Sequence, residues 1–170
     1  METLRIHHTG ITISNLERSL SFYRDVLGME DDGYRSERPA NWSDDFIGKN
    51  IGIPGTQLKI AWLTKGDVRL ELIEYVVPKG QQRAKTQPSD VGNAHVAFQV
   101  DDMEAWYNKL TGMGIKFAAY PPTITEGPTK GVSAIYLWDP DGINVELLYR
   151  PPGITDDTYR HPGKAHSTPK

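Results

Sequence analysis

The sequence predicts an α+β fold built from two copies of one unit, and three observations predict it. A strand pattern followed by an amphipathic helix opens the chain, the same pair recurs from residue 95, and each copy ends in a strand carrying a lone carboxylate between apolar neighbours, Leu70-Glu71-Leu72 and Val145-Glu146-Leu147. With 170 residues, 38% of them apolar, the chain can bury a core of its own without staples.

Residues 4–13 alternate in the strand manner, with Thr9, Ile11 and Ile13 on one face and Ile6, His8, Gly10 and Thr12 on the other. Ser14 and Asn15 can cap a helix in which Leu16, Leu20, Tyr23 and Leu27 share a face, and Gly28 suits its C-terminal end. A polar stretch over 31–50 follows, with a strand expected either between 29 and 42 or around Ile51, and residues 34–50 are read as a lid or a surface loop. Residues 58–63 and 68–77 are expected to form two strands joined across Thr64-Lys65-Gly66-Asp67.

After a polar linker the pattern restarts. His95, Ala97 and Gln99 alternate with Val96, Phe98 and Val100, Asp101-Asp102 precede a helix carrying Met103, Trp106, Tyr107 and Leu110, and Gly112 and Gly114 close it. Residues 132–138 and 143–150 form the last two strands, separated by Asp139-Pro140-Asp141-Gly142, whose Pro and Gly fit a tight turn. The tail beyond 150 reads as an arm or as a disordered segment.

The two histidines at the heads of the units are 95 − 8 = 87 residues apart, and the two glutamates at their ends 146 − 71 = 75. The first unit is therefore longer by about 12 residues, which the 31–55 stretch accommodates. In residues 68–75, Arg69, Glu71, Ile73 and Tyr75 share one face and Leu70, Leu72 and Glu74 the other, so Glu71 and Glu74 point opposite ways. By the same rule His7 points away from His8.

A carboxylate set among apolar neighbours in a central strand is costly to desolvate unless a cation or donor compensates it. Taken singly, a strand His or Glu is more often structural. Four of them at repeat-related positions, His8, Glu71, His95 and Glu146, point to one shared divalent ion, with Zn, Ni, Co, Mn or Fe(II) all suited to such nitrogen and oxygen donors. There is no cysteine, which excludes disulfides and thiolate sites. A net charge of −3 with mixed signs offers no basic field for nucleic acid. No apolar run approaches the roughly 18 residues that span a bilayer, so the expectation is a cytoplasmic protein without membrane contact.

These residues resemble the vicinal oxygen chelate superfamily, which includes glyoxalase I, methylmalonyl-CoA epimerase, the extradiol dioxygenases and the bleomycin-resistance proteins. The resemblance rests on His8-Thr9-Gly10-Ile11-Thr12-Ile13, on Leu16-Glu17-Arg18-Ser19-Leu20-Ser21-Phe22-Tyr23 with Val26-Leu27-Gly28-Met29, on Leu70-Glu71-Leu72, on His95-Val96-Ala97-Phe98, and on Asp139-Pro140-Asp141-Gly142 leading to Val145-Glu146-Leu147. It implies two tandem βαβββ modules, 1–78 and 91–150, joined by a linker at 79–90, combined into a cupped open barrel and followed by an arm at 151–170. It further implies a homodimer.

The activity the resemblance implies is that of a metal-dependent isomerase or lyase, glyoxalase-like or epimerase-like. Such an enzyme abstracts a proton next to a carbonyl of a small substrate with neighbouring oxygens and passes through a metal-stabilised enediolate. Glu71 or Glu146 serves as the base. The alternatives are a ring-cleaving non-haem iron dioxygenase and a ligand-sequestering resistance protein. Thr12 stands where many bacterial glyoxalases carry an Arg that helps hold glutathione, which argues against a glutathione adduct. Arg69, Gln99, Tyr136, Trp138 and Thr12 are the candidate substrate contacts, with Arg69 as an anion clamp. Lys59 reads as a surface residue, and Trp62 and Trp106 as core.

Overall fold

The computed structural model describes residues 3, 5–38, 46–81 and 87–160 of the chain. The protein divides into two compact units, Met1–Ala84 and Lys85–Lys170.

The first unit is a four-stranded mixed sheet carrying a helix. Strand β1 (Thr9–Ile13) runs parallel to β4 (Val68–Val77), β4 is antiparallel to β3 (Gln57–Lys65), and β3 is antiparallel to the edge strand β2 (Glu30–Arg38), giving the order β1-β4-β3-β2. A parallel β1-β4 pair requires a crossover, and α1 (Leu16–Leu20) begins it. Asn15 caps α1 through its side chain, which accepts the Arg18 N–H at 2.9 Å. The helix continues as a π-helical segment, Ser21–Val26, and Gly28, at φ +73°, takes the left-handed position that ends it. Lys65 Nζ donates to the Gly28 carbonyl at 2.7 Å, fastening the helix end to the β3–β4 turn.

Ile11, Ile13, Leu70 and Leu72 bury themselves beneath Leu16, Leu20 and Tyr23. Each fully buried Leu contributes about 1.5–3 kcal/mol of apolar transfer free energy. This packing fixes which face of every strand in the unit meets the helix. The short helix α2 (Phe46–Ile51) occupies one of the two places where the sequence allowed the remaining strand, and β2 takes the other. The described parts of the expected lid are thus an edge strand and a helix, while residues 39–45, including Trp42, lie outside the described residues.

The second unit has three strands in the order β5-β7-β6, with β5 (His95–Val100) parallel to β7 (Asn144–Tyr149) and β6 (Ser133–Trp138) antiparallel to it. Helix α3 (Met103–Gly112) makes the crossover, capped by Asp102, whose carboxylate accepts the Ala105 N–H at 2.9 Å. The strand that would complete a βαβββ module is reduced to two antiparallel bridges, Phe117 with Leu137 and Thr123 with Ser133. Pro121, Pro122 and Pro128 fall in this stretch, and each removes a backbone donor that a continuous ladder needs.

In the β6–β7 turn the side chain of Asp139 is buried and its Oδ1 accepts the N–H groups of Asp141 and Ile143, both at 2.8 Å. Gly142 sits there at φ +84°. The Asp-Pro-Asp-Gly run is thereby a self-contained turn that sets the register of β7.

Three sequence expectations are corrected here. Strand β1 begins at Thr9 rather than at residue 4. Trp62 and Trp106 are only half-buried rather than core. The tail carries a short helix, α4 (Asp156–Arg160), held by an ion pair between Arg150 Nη1 and Asp156 Oδ1 at 2.5 Å and by its own buried Thr158. Residues 161–170, with His161 and His166, lie outside the described residues. No described helix is long and apolar enough to cross a membrane.

Candidate metal centre

In each unit the structure brings one histidine against one glutamate. His8 Nε2 stands 3.2 Å from Glu71 Oε2, and His95 Nε2 stands 3.0 Å from Glu146 Oε2. The carboxylates are largely buried, with side-chain exposures of 14% and 18%, whereas the imidazoles are 35% and 41% exposed.

The ladder registers show why the two pairs are equivalent. Glu71 lies opposite Gly10 on β1, and Glu146 lies opposite Ala97 on β5; each histidine sits two residues before that partner, 10 − 8 = 2 and 97 − 95 = 2. Side chains two residues apart on a strand share a face, so His95 and Glu146 lie on the face of their sheet away from α3, while Glu71 lies on the face of its sheet away from α1 and is met there by His8, just before β1. The partner position is small in both units. At Gly10 an added Cβ would meet Glu71 Oε2 at 3.7 Å, ordinary contact, which is consistent with alanine at the equivalent position 97.

The equivalence extends to a third residue. Trp62 on β3 pairs with Glu71, and Tyr136 on β6 pairs with Glu146. Each ring meets its histidine edge-on, Trp62 to His8 at 4.9 Å and Tyr136 to His95 at 5.2 Å between centroids. These rings wall off one side of each pair. Burial pushes the Tyr136 phenol above its ordinary pKa, the negative charge of Glu146 adds to the effect, and the protonated phenol donates a hydrogen bond to that carboxylate. Trp62 was hidden in the sequence by its apolar character, although a two-residue Gly66-Asp67 turn would have set it opposite Glu71.

Glu74 behaves as its facing requires. It turns to the helix side, where Oε2 accepts the Leu16 N–H at 2.8 Å in the first turn of α1. Lys59, the register partner of Glu74, lies on that side as well. His7 departs from expectation: its Nδ1 lies 2.7 Å from His8 Nδ1, and its ring stands 6.4 Å from Trp62. Both histidines precede the first paired residue of β1, so strand alternation does not separate them.

The expected substrate contacts are distributed as follows. Arg69 stacks over Trp62 at 4.4 Å and pairs with Asp32 at 3.3 Å, so its charge is already engaged. Gln99, the repeat counterpart of Thr12, accepts from Arg150 Nε at 3.1 Å and Nη2 at 2.6 Å. Thr12 is exposed on the site face of β1. Trp138 stands opposite the buried Asn144 two residues along from Tyr136, and Asn144 donates to Asn93 at 2.8 Å beneath the start of β5.

The donor set fits a divalent ion. Two ligands at about 2.0–2.2 Å from one ion and at about a right angle stand roughly 3 Å apart, which matches the separation within each pair. Among the described residues no group of three or more His, Asp or Glu side chains converges, so each pair by itself would offer two ligands.

The match with known proteins is to the model for the Glyoxalase/Bleomycin resistance protein/Dioxygenase superfamily, over residues 5–147. The chain belongs to this superfamily. Its fold is the vicinal oxygen chelate fold, and a glyoxalase family protein from Bacillus cereus shares it with a TM-score of 0.73 at 22% identity, over 88% of this chain and 96% of that one. A 2-epi-5-epi-valiolone epimerase from an Actinomyces species is 32% identical over 151 residues, 87% of this chain and 80% of that protein. The lactoylglutathione lyase of Neisseria meningitidis is 26% identical over 161 residues, 92% of this chain and 99% of the lyase. Both of these relatives are named as enzymes, one an epimerase and one a lyase.

Proposed function

We propose that this superfamily member is a divalent-metal-dependent isomerase or lyase, epimerase-like or glyoxalase-like, in which His8, Glu71, His95 and Glu146 ligate one ion, within one chain or across a homodimer. The observation that carries the reading is the repeat-equivalent pair of contacts, His8 to Glu71 at 3.2 Å and His95 to Glu146 at 3.0 Å. The epimerase at 32% identity supports the reaction type. A complete set of two histidines and two carboxylates favours this chemistry over ring cleavage, for which two histidines and one glutamate suffice, and over ligand sequestration, which needs no ligands.

The ion would supply Lewis acidity to the substrate's carbonyl and neighbouring oxygen. The chain's own groups do the rest. Glu71 or Glu146 takes the proton from the carbon next to the carbonyl; the C–H electron pair moves into the new C=C bond and the carbonyl π pair onto oxygen, giving an enediolate. A carboxylic acid then returns the proton to carbon, on the opposite face or on the neighbouring carbon. Trp62 and Tyr136 restrict water beside the histidines, and the Tyr136 phenol holds one Glu146 oxygen in place.

The test is metal analysis of protein purified without chelator, followed by a screen of small α-hydroxy ketones and acyl-thioesters in deuterium oxide. Stoichiometric metal and deuterium incorporation at the carbon next to the carbonyl are expected. Oxygen consumption with a catechol and no exchange would overturn the reading in favour of the dioxygenase.

A further inference from the structure

We propose that His7 is a positioning residue that fixes the ring orientation and tautomer of His8, an inference that rests on His8 being a metal ligand. The two Nδ1 atoms lie 2.7 Å apart, a distance that requires one proton between them. A neutral imidazole carries a single N–H, on one nitrogen or the other. If that proton belongs to His8 Nδ1, its Nε2 keeps a lone pair directed toward the side where Glu71 Oε2 stands at 3.2 Å. If it belongs to His7, the proton of His8 moves to Nε2 and the ligand atom is blocked. A bound cation at Nε2 selects the first arrangement, in which His8 donates and His7 accepts.

The geometry allows little else. His8 has three neighbours, His7 at Nδ1, Glu71 Oε2 at 3.2 Å from Nε2 and Trp62 edge-on at 4.9 Å. His7 itself is exposed and stands edge-on to Trp62 at 6.4 Å, on the same side as His8. His95 sits differently. It begins a ladder, opposite Asn144, whereas His8 precedes the first ladder residue of β1, so backbone pairing does not hold it. Partners of this kind, accepting from the non-ligating nitrogen of a ligand histidine, typically change metal affinity by about 10–100-fold when removed.

The experiment uses the full chain stripped of metal and titrated with cobalt(II), read by calorimetry and by the visible absorption of the bound ion. Four proteins are compared: the parent, His7→Ala, His7→Asn and His8→Ala. His7→Ala is expected to weaken cobalt binding by about 10–100-fold. His7→Asn, whose Oδ1 can take the place of Nδ1 as acceptor, is expected to restore binding to within a few-fold of the parent. The melting temperature of the metal-free protein is expected to be the same in both, because His7 is exposed. Unchanged affinity in His7→Ala, with binding lost in His8→Ala, overturns the role of His7 alone. Equal weakening in His7→Asn and His7→Ala overturns it too, since the acceptor would then be irrelevant, as does a melting temperature that falls in parallel with affinity. Full binding by His8→Ala overturns the ligand assignment on which the inference stands.

Discussion

Glu71 and Glu74, three residues apart on β4, serve opposite faces of one sheet: Glu71 reaches His8 at 3.2 Å, and Glu74 accepts the Leu16 N–H at the start of α1 at 2.8 Å. An odd separation on a strand puts two like residues in unlike environments, one open to a ligand and one against a helix. Glu71→Gln and Glu146→Gln are therefore expected to stay folded and to lose at least about 100-fold in proton exchange, the scale of a lost general base. Deuterium incorporation followed by mass or NMR spectroscopy checks this.

Glu74→Ala is expected to leave exchange unchanged and to lower stability by about 0.5–2 kcal/mol, the cost of losing a helix cap. Glu74→Gln retains an acceptor oxygen and should lose less. Urea unfolding of the four glutamate variants separates the two faces.

Chelation should abolish activity without unfolding the chain. The buried cores lie on the helix sides of the two sheets, among residues such as Leu70, Leu72, Val145 and Leu147, and not among the candidate ligands. Circular dichroism after dialysis against chelator is expected to match the untreated protein, with activity returning on addition of metal.

Trp62 lies edge-on to His8, so metal binding should change tryptophan emission, and the change should disappear in Trp62→Phe while affinity is kept within a few-fold. A fluorescence titration that is identical in parent and variant would refute this.

Asp139 satisfies two backbone N–H groups from a buried position, and no other residue type of that length accepts both as an anion. Asp139→Ala should cost about 1–3 kcal/mol, the penalty for stranding buried donors, and should impair activity through the register of β7. Chemical denaturation measures the loss.

Stability should also fall in acid through Asp31. Hydrogen bonds from Arg35 above all, then from the Gly33 N–H and Arg24, hold its carboxyl well below the usual carboxylate range. A depressed folded-state pKa means the stabilisation is present above the unfolded value, near pH 4, and is lost as pH falls below it. Asp31→Asn should be less stable than the parent at pH 7 and should flatten the stability profile between pH 5 and the acid limit.

Much of the fold was legible because short-range rules governed it. The caps at Asn15 and Asp102, the helix face of Leu16, Leu20 and Tyr23, the Asp139–Gly142 turn and the opposed faces of Glu71 and Glu74 all follow from spacing within one element. The misread features depended on where pairing starts and stops. His7 was assigned away from His8 by extending alternation into residues that no strand pairs, and Trp62 was assigned to the core because apolar character does not reveal which face of a sheet a helix covers. The strand reduced to two bridges in the second unit gave way to prolines that a count of repeats does not weigh.

The sequence by itself determined the two-unit α+β plan, the superfamily and the residue types available for metal binding, since periodicity, turn chemistry and the absence of cysteine are local or compositional properties. Tertiary structure decided what those residues meet. Cross-strand register set Gly10 against Glu71 and Ala97 against Glu146, and turned Trp62 and Tyr136 edge-on to the two histidines. Register and the end of a ladder depend on the partner strand, and a side chain's neighbours across a sheet are separated from it by dozens of residues in the chain.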